Sequence, residues 1–222
     1  MKTQTGALRT MVLAASLGVA CVPQPSGVVE IVSDGAIEFT ATVAAQAFGA
    51  QDEMNGYHFI VWEGGGSADH ALLRSDVSDL QVLQALEGLG ATPGNALGID
   101  TWDRRRDATA TAPDRVIQGP RVRIEVWLPG SGVPLRIGDI LEDPGQRGFD
   151  MRFGGHRANI SKWHSGCVVC LYSCPGSKVG NAAYTVRDFV DGASHFRIRP
   201  GVLPADGTQV RVRLVLDQEQ AS

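Results

Sequence analysis

The chain has 222 residues, with 20 basic against 24 acidic side chains and a net charge of −4. That length supports one sizeable core or two small ones, and the acidic balance argues against a general affinity for nucleic acid or an acidic membrane surface. An apolar fraction of 43% is that of a globular chain and excludes long disorder.

Lys2 and Arg9 precede a short apolar run from Met11 to Ala20. The run falls short of the roughly 20 apolar residues that span a bilayer, and a basic start, an apolar middle and a small-residue end read as a secretory signal. Pro23 to Gly27 breaks any helical continuation. Arg9 is followed by Thr10, so the pattern is not of the twin-arginine type. Leu17-Gly18-Val19-Ala20-Cys21 resembles a bacterial lipobox, with Gly18 where a larger aliphatic residue is usual. The expectation is a signal over 1–21 with lipidation at Cys21, a tether over 22–27, one domain over 28–217 and a tail over 218–222. A plain cut after Ala20 is the alternative. Loss of Lys2 and Arg9 leaves 18 basic against 24 acidic residues, a net charge of −6. The expected location is the periplasm or outer cell envelope, on a membrane through the lipid anchor.

Period-two alternation marks several half-buried strands. Ile37, Phe39, Ala41 and Val43 share one face, and Val122, Ile124, Val126 and Leu128 another. Phe196 with Ile198, and Val210 to Leu216, alternate in the same way, while Tyr57 to Trp62 is nearly continuous and reads as a more buried strand. Val77, Leu80, Leu83 and Leu86 recur at helical spacing, with Asp76 in the N-cap position and Gly88, Gly90 and Pro93 as stops. A second helix is expected after Cys174-Pro175-Gly176, with Val179, Ala182, Ala183, Val186 and Val190 on one side. The polar stretch from Thr101 to Gln118, with Arg104-Arg105-Arg106, reads as a surface loop. The fold class expected is α+β, mostly antiparallel strands with two main helices in a single domain.

The concentrated chemistry is His164-Ser165-Gly166-Cys167-Val168-Val169-Cys170-Leu171-Tyr172-Ser173-Cys174-Pro175. Its spacing resembles the bacterial ferredoxin run C-x2-C-x2-C-x3-C-P, with His164 in place of the first cysteine. Two-residue gaps let successive thiolates turn back onto one soft ion, and a helix beginning at Pro175 would favour the Cys174 thiolate. The candidate metal ligands are therefore Cys167, Cys170, Cys174 and His164. An iron–sulfur cluster follows the spacing, zinc suits a tetrahedral Cys3His set, and copper suits thiolates. An oxygen-sensitive cluster is hard to load after export, so compartment and spacing pull in opposite directions. Outside the cytoplasm thiols tend to pair or bind metal, and an acylated Cys21 leaves an odd three. A Cys167–Cys170 disulfide with Cys174 free, or a longer-range staple, is the competing arrangement. His156 is a possible fifth contributor, and His58 reads as a core or surface contact.

Nucleophile-elbow, zincin and P-loop motifs do not occur, and Asp and Glu are scattered, so no catalytic residue is nominated. Gly64-Gly65-Gly66-Ser67 reads as a flexible turn, and the arginines of the alternating strands as a solvated sheet face.

Asp69-His70-Ala71-Leu72-Leu73, the helix from Val77 and Gly90-Ala91-Thr92-Pro93-Gly94, followed by Val133 to Asp139 and Phe153-Gly154-Gly155, resemble the YdjY-domain family over roughly Val28 to Leu216. A family glutamate is expected after His70 where this chain has Ala71, which weakens a role for that histidine. The resemblance implies an exported, ferredoxin-like domain of a family that is mostly without an assigned activity and in which many members lack the cysteine cluster. Three functional expectations result. The first is a non-enzymatic metal or iron–sulfur protein with a redox or metal-transfer protein partner. The second is a thiol–disulfide redox protein with Cys167 or Cys170 as nucleophile. The third is an interaction module without a cofactor.

Overall fold

Alternating sequence becomes alternating burial. In β2 (Ala36–Val43) Phe39, Ala41 and Val43 are buried while Glu38, Thr40 and Thr42 are half-buried. The computed structural model describes residues 24–32, 35–49, 56–95 and 97–217. The expected signal, Cys21 and the tail lie outside them. Ahead of β2 stands β1 (Glu30–Val32), and after it come α1 (Ala45–Gly49), β3 (His58–Trp62), β4 (Ala71–Ser75), α2 (Asp79–Gly88) and α3 (Asp100–Asp103). The chain continues through β5 (Val122–Trp127), α4 (Ile137–Ile140), β6 (Leu141–Glu142), β7 (Met151–Phe153) and α5 (Arg157–Trp163). It ends with β8 (Cys167–Cys170), β9 (Val179–Asn181), α6 (Val186–Val190), β10 (Arg197–Ile198) and β11 (Gln209–Leu216).

Among the described residues the main sheet runs β5-β11-β2-β4-β3-β8-β9-β7, with β1 paired to β2. The two ends of that path meet: Arg121 bridges Arg152, and Phe153 N–H donates to Pro120 O at 2.9 Å. Gly119, at φ +130°, makes this approach feasible, because a Cβ there would lie 1.9 Å from Phe153 O. The sheet is thus nearly closed and barrel-like. Ile37, Val126, Phe153, Val212 and Leu214 are among its fully buried side chains. The α+β class holds, but mostly antiparallel does not describe it well. β3 pairs with β4, and β8 with β9, in parallel, so the cysteine strand sits in the mixed part of the sheet.

Two helix expectations are corrected. The first helix starts at Asp79, and its N-cap is Ser78 rather than Asp76: Ser78 Oγ accepts from Gln81 N–H, and the Gln81 side chain accepts from Ser78 N–H. Val77 and Val82, in the staple positions around this box, are both fully buried. No helix begins at Pro175. Residues 175–178 form a turn, 179–181 are a strand held between β8 and β7, and helix resumes only at Val186. Pairing on both edges overrides the apolar spacing, helped by Gly176 and Gly180, which weaken a helix.

The stretch from Thr101 to Gln118 is also more than a surface loop. Thr101, Ala110, Ala112 and Ile117 are buried. Arg187 of α6 organises it, donating to the carbonyls of Arg105, Asp107 and Ala110 and to the Asp114 carboxylate. On the outer sheet face Arg211 and Arg213 are matched by Glu38, and Arg123 and Arg136 by Glu125.

Candidate functional site

The cysteines are gathered by an irregular strand. In a regular strand residues three apart point to opposite faces. The β3–β8 register runs His58↔Cys170, Ile60↔Val169, Val61↔Cys167, so one residue of β3 is matched by two of β8 between its last two pairs. The additional residue, Val168, reverses the alternation and returns Cys167 and Cys170 to one face. The three thiols are near enough to perturb one another's titration, Cys170 with Cys167 and with Cys174. Cys170 is the middle member of a three-sulfur chain.

The approach to this strand is fixed by close backbone packing. Gly66 N–H donates to His164 O at 2.8 Å, Ser67 N–H to Ser165 O at 3.1 Å, and Trp62 N–H to Gly166 O at 2.9 Å. A Cβ on Gly65 would lie 2.5 Å from Ser165 O, so the Gly64-Gly65-Gly66-Ser67 run is a tied turn, not a slack one. On the far side Asn159, buried on α5, donates to Leu97 O and to Pro175 O, pinning the turn after Cys174. Lys178, fully buried, reaches Asp79 at 3.4 Å and Gly176 O at 3.0 Å, beside Cys174.

His58 is the histidine that meets the thiols. Its Nδ1 lies 3.3 Å from Cys167 Sγ, in a hydrogen bond between two buried groups. Burial pushes the imidazole down to about 4, so the ring is neutral and able to ligate at neutral pH. The Cys174 thiol is pushed up by its hydrogen bond with Cys170 and by burial, against a downward pull from Lys178. Burial, then the Cys167 contact, pushes the Cys170 thiol up too. The expected helix-end activation of Cys174 is therefore replaced by a desolvated, protonated pair. Cys167, Cys170 and Cys174 are all free of disulfides.

A cavity of about 200 Å³ opens onto this cluster, lined by Tyr57, His58, Ser67, Trp102, Trp163, Ser165, Cys167 and Cys174. Its outer wall is aromatic: Trp102 meets Trp163 edge-on at 6.0 Å and stacks on Phe189 at 5.8 Å, while Tyr57 sits 4.8 Å from Phe189. Arg105 covers the Trp102 ring at 4.4 Å. His164 sits between two lining residues but is exposed, in the left-handed C-cap of α5 at φ 48°, and its carbonyl rather than its ring is engaged. His156 caps α5, its Nδ1 accepting from Ala158 N–H. Among the described residues no three His, Cys, Asp or Glu side chains converge as they stand on one ion position.

The YdjY domain matches residues 32–215. The chain belongs to the YdjY-domain family. A curated relative of the same family, the uncharacterized protein YdjY of Escherichia coli K12, is 28% identical over 174 residues, covering 78% of this chain and 73% of its own. No solved structure matches. The matched span places β2 through β11, the thiol chain, His58 and both cavity tryptophans inside the YdjY domain. Among the described residues of this YdjY domain no helix is long and apolar enough to cross a membrane.

Sequence reasoning missed His58, Trp102, Trp163 and Lys178. His58 carried a usable signal: a histidine inside a near-continuous apolar strand must be buried with a partner, and the thiols are polar enough to provide one.

Proposed function

We propose that this YdjY-domain protein is an exported, lipid-anchored envelope protein that binds a metal centre through Cys167, Cys170 and Cys174, with His58 rather than His164 as the nitrogen donor, for metal handling or electron transfer. The observation that carries the reading is the cavity lined by Cys167, Cys174 and a neutral imidazole, with Cys170 buried on the same bulged strand as Cys167. The S–H protons leave when metal arrives, and rotation about Cys χ1 brings the sulfurs onto it. The basic, apolar N-terminus and Cys21 support the envelope placement, and the net charge of −4 argues against nucleic acid as a partner.

The test is metal and acid-labile sulfide content of the processed protein, purified without oxygen. One metal per chain, lost in Cys170→Ser and kept in His164→Ala, supports the reading. Metal lost in His164→Ala and kept in His58→Ala would restore the spacing-based ligand set. Thiol–disulfide chemistry is the second reading, favoured by the closeness of Cys170 to both other thiols, each of which bears on its titration or is shifted by it. A metal-free protein holding a disulfide through Cys170 would select it. Burial and the upward shift of two thiols weigh against it, since the nucleophile of exchange is a thiolate.

A further inference from the structure

We infer that the ion this site takes is a soft monovalent one, Cu(I) or its inert analogue Ag(I), held by the cavity-lining Cys167 with His58 or a neighbouring sulfur and walled in by Trp102 and Trp163; this rests on the metal-site reading above. Three features separate this from a zinc or iron–sulfur site.

The first is the donor set. The cavity lining offers sulfur, one imidazole and three hydroxyls, and no carboxylate. Sulfur ligands favour soft ions, and no carboxylate is present in the lining to favour a hard one. The second is geometry. Among the described residues no three such donors converge, but His58 Nδ1 and Cys167 Sγ lie 3.3 Å apart and Cys174 lines the same cavity. A two-coordinate ion needs only such a pair, whereas a tetrahedral structural zinc site needs all four donors at once. The third is charge. A monovalent ion on one thiolate and a neutral imidazole leaves no net charge in the dry pocket, whereas a divalent ion needs two thiolates before it is neutral there. Two indoles and a phenol form its outer wall, and aromatic faces attract a cation. Binding exchanges S–H protons for S–metal bonds and changes no oxidation state, so no further reactant is needed.

The experiment is a parallel anaerobic titration of the reduced protein with Ag(I), with Cu(I) supplied as its acetonitrile complex, and with Zn(II), each against a competing chelator. Intrinsic tryptophan fluorescence and ultraviolet sulfur-to-metal absorption are followed. The expected result is one monovalent ion per chain, bound at least 100-fold tighter than Zn(II), with fluorescence quenched by more than half. Trp102→Phe and Trp163→Phe should each keep the stoichiometry and lose part of the quenching. Cys167→Ser should lose the absorption band; if it fails to fold by circular dichroism, Cys174→Ser serves in its place. Zinc bound as tightly as Ag(I) and Cu(I), or an iron–sulfur centre formed on reconstitution, overturns this inference and leaves the metal-site reading standing. Absence of binding by all three ions and on reconstitution removes both. Tight Ag(I) and Cu(I) binding with unchanged fluorescence overturns the tryptophan-walled location.

Discussion

Lys178 is the residue whose burial most needs a compensating partner. It is fully buried, and its ammonium is met by Asp79 at 3.4 Å and Gly176 O at 3.0 Å. Removing one member of such a pair leaves a charge stranded in the interior, which costs about 3–5 kcal/mol. Lys178→Met should therefore lower the urea midpoint strongly, while the double change Lys178→Met with Asp79→Leu should recover much of it. A single variant as stable as the parent would mean that water reaches Asp79. Asp143 gives the pH dependence. Burial raises its carboxyl, but hydroxyls of Ser194 and Tyr184 and amides of Gly148 and Gly145 outweigh that and hold it below the ordinary value of 3.8. The unfolded chain then binds the proton more readily, so this stabilisation is complete above the unfolded value and is lost as pH falls through the folded one. The stability difference between the parent and Asp143→Asn should shrink between pH 5 and the acid limit, as urea titrations at stepped pH would show. A constant difference would assign the role of Asp143 to its hydrogen bonds alone, independent of charge.

At the scale of elements, local chemistry was legible where it was periodic and illegible where pairing decided it. β2, β3, β5 and β11 could be read from alternation or a buried run, because each shows a period or an apolar stretch. β8 could not, since Cys-Val-Val-Cys is too short to show one, and the bulge that aims its thiols exists only against β3. The same limit explains the histidine: spacing proposes His164, three residues from Cys167, whereas register brings in His58 from 109 residues away. The helix expected after Pro175 failed for the converse reason, an apolar spacing used by a strand and a later helix instead. For α2 the helix itself was legible and its cap was two residues off, Ser78 in place of Asp76. Ser78→Ala should cost about 1 kcal/mol, the usual worth of an N-cap hydroxyl, and lower the melting temperature by a few degrees. Asp76→Ala should leave the helix start intact, and a larger loss for Asp76→Ala than for Ser78→Ala would return the cap to the acidic residue.

For the whole molecule, the aromatic cavity opens onto the thiol cluster, and one guanidinium ties down the segment that walls it. Arg187 ties α6 to the segment carrying Trp102 by hydrogen bonds to Arg105 O, Asp107 O and Ala110 O and by its contact with Asp114 at 3.0 Å. Phe189, two residues further on, stacks on Trp102 and lies tilted against Tyr57, so the strap and the aromatic wall form one unit across elements far apart in sequence. Arg187→Leu deletes the strap without entering the sheet, and leaves several buried carbonyls to find water instead. The segment then opens locally while the barrel-like core persists, because local stabilities within one fold differ widely. Labelling of Cys174, which is 5% exposed, should accelerate at least tenfold with a small alkylating reagent, with Cys167 and Cys170 following more slowly. Far-ultraviolet circular dichroism should stay close to the parent's. Lysine at the same position should rescue only part of the protection, since it brings the charge but not the fork that reaches several acceptors at once. Unchanged labelling rates in the leucine variant would show that aromatic packing alone closes the cavity and that Arg187 merely fastens a loop already held.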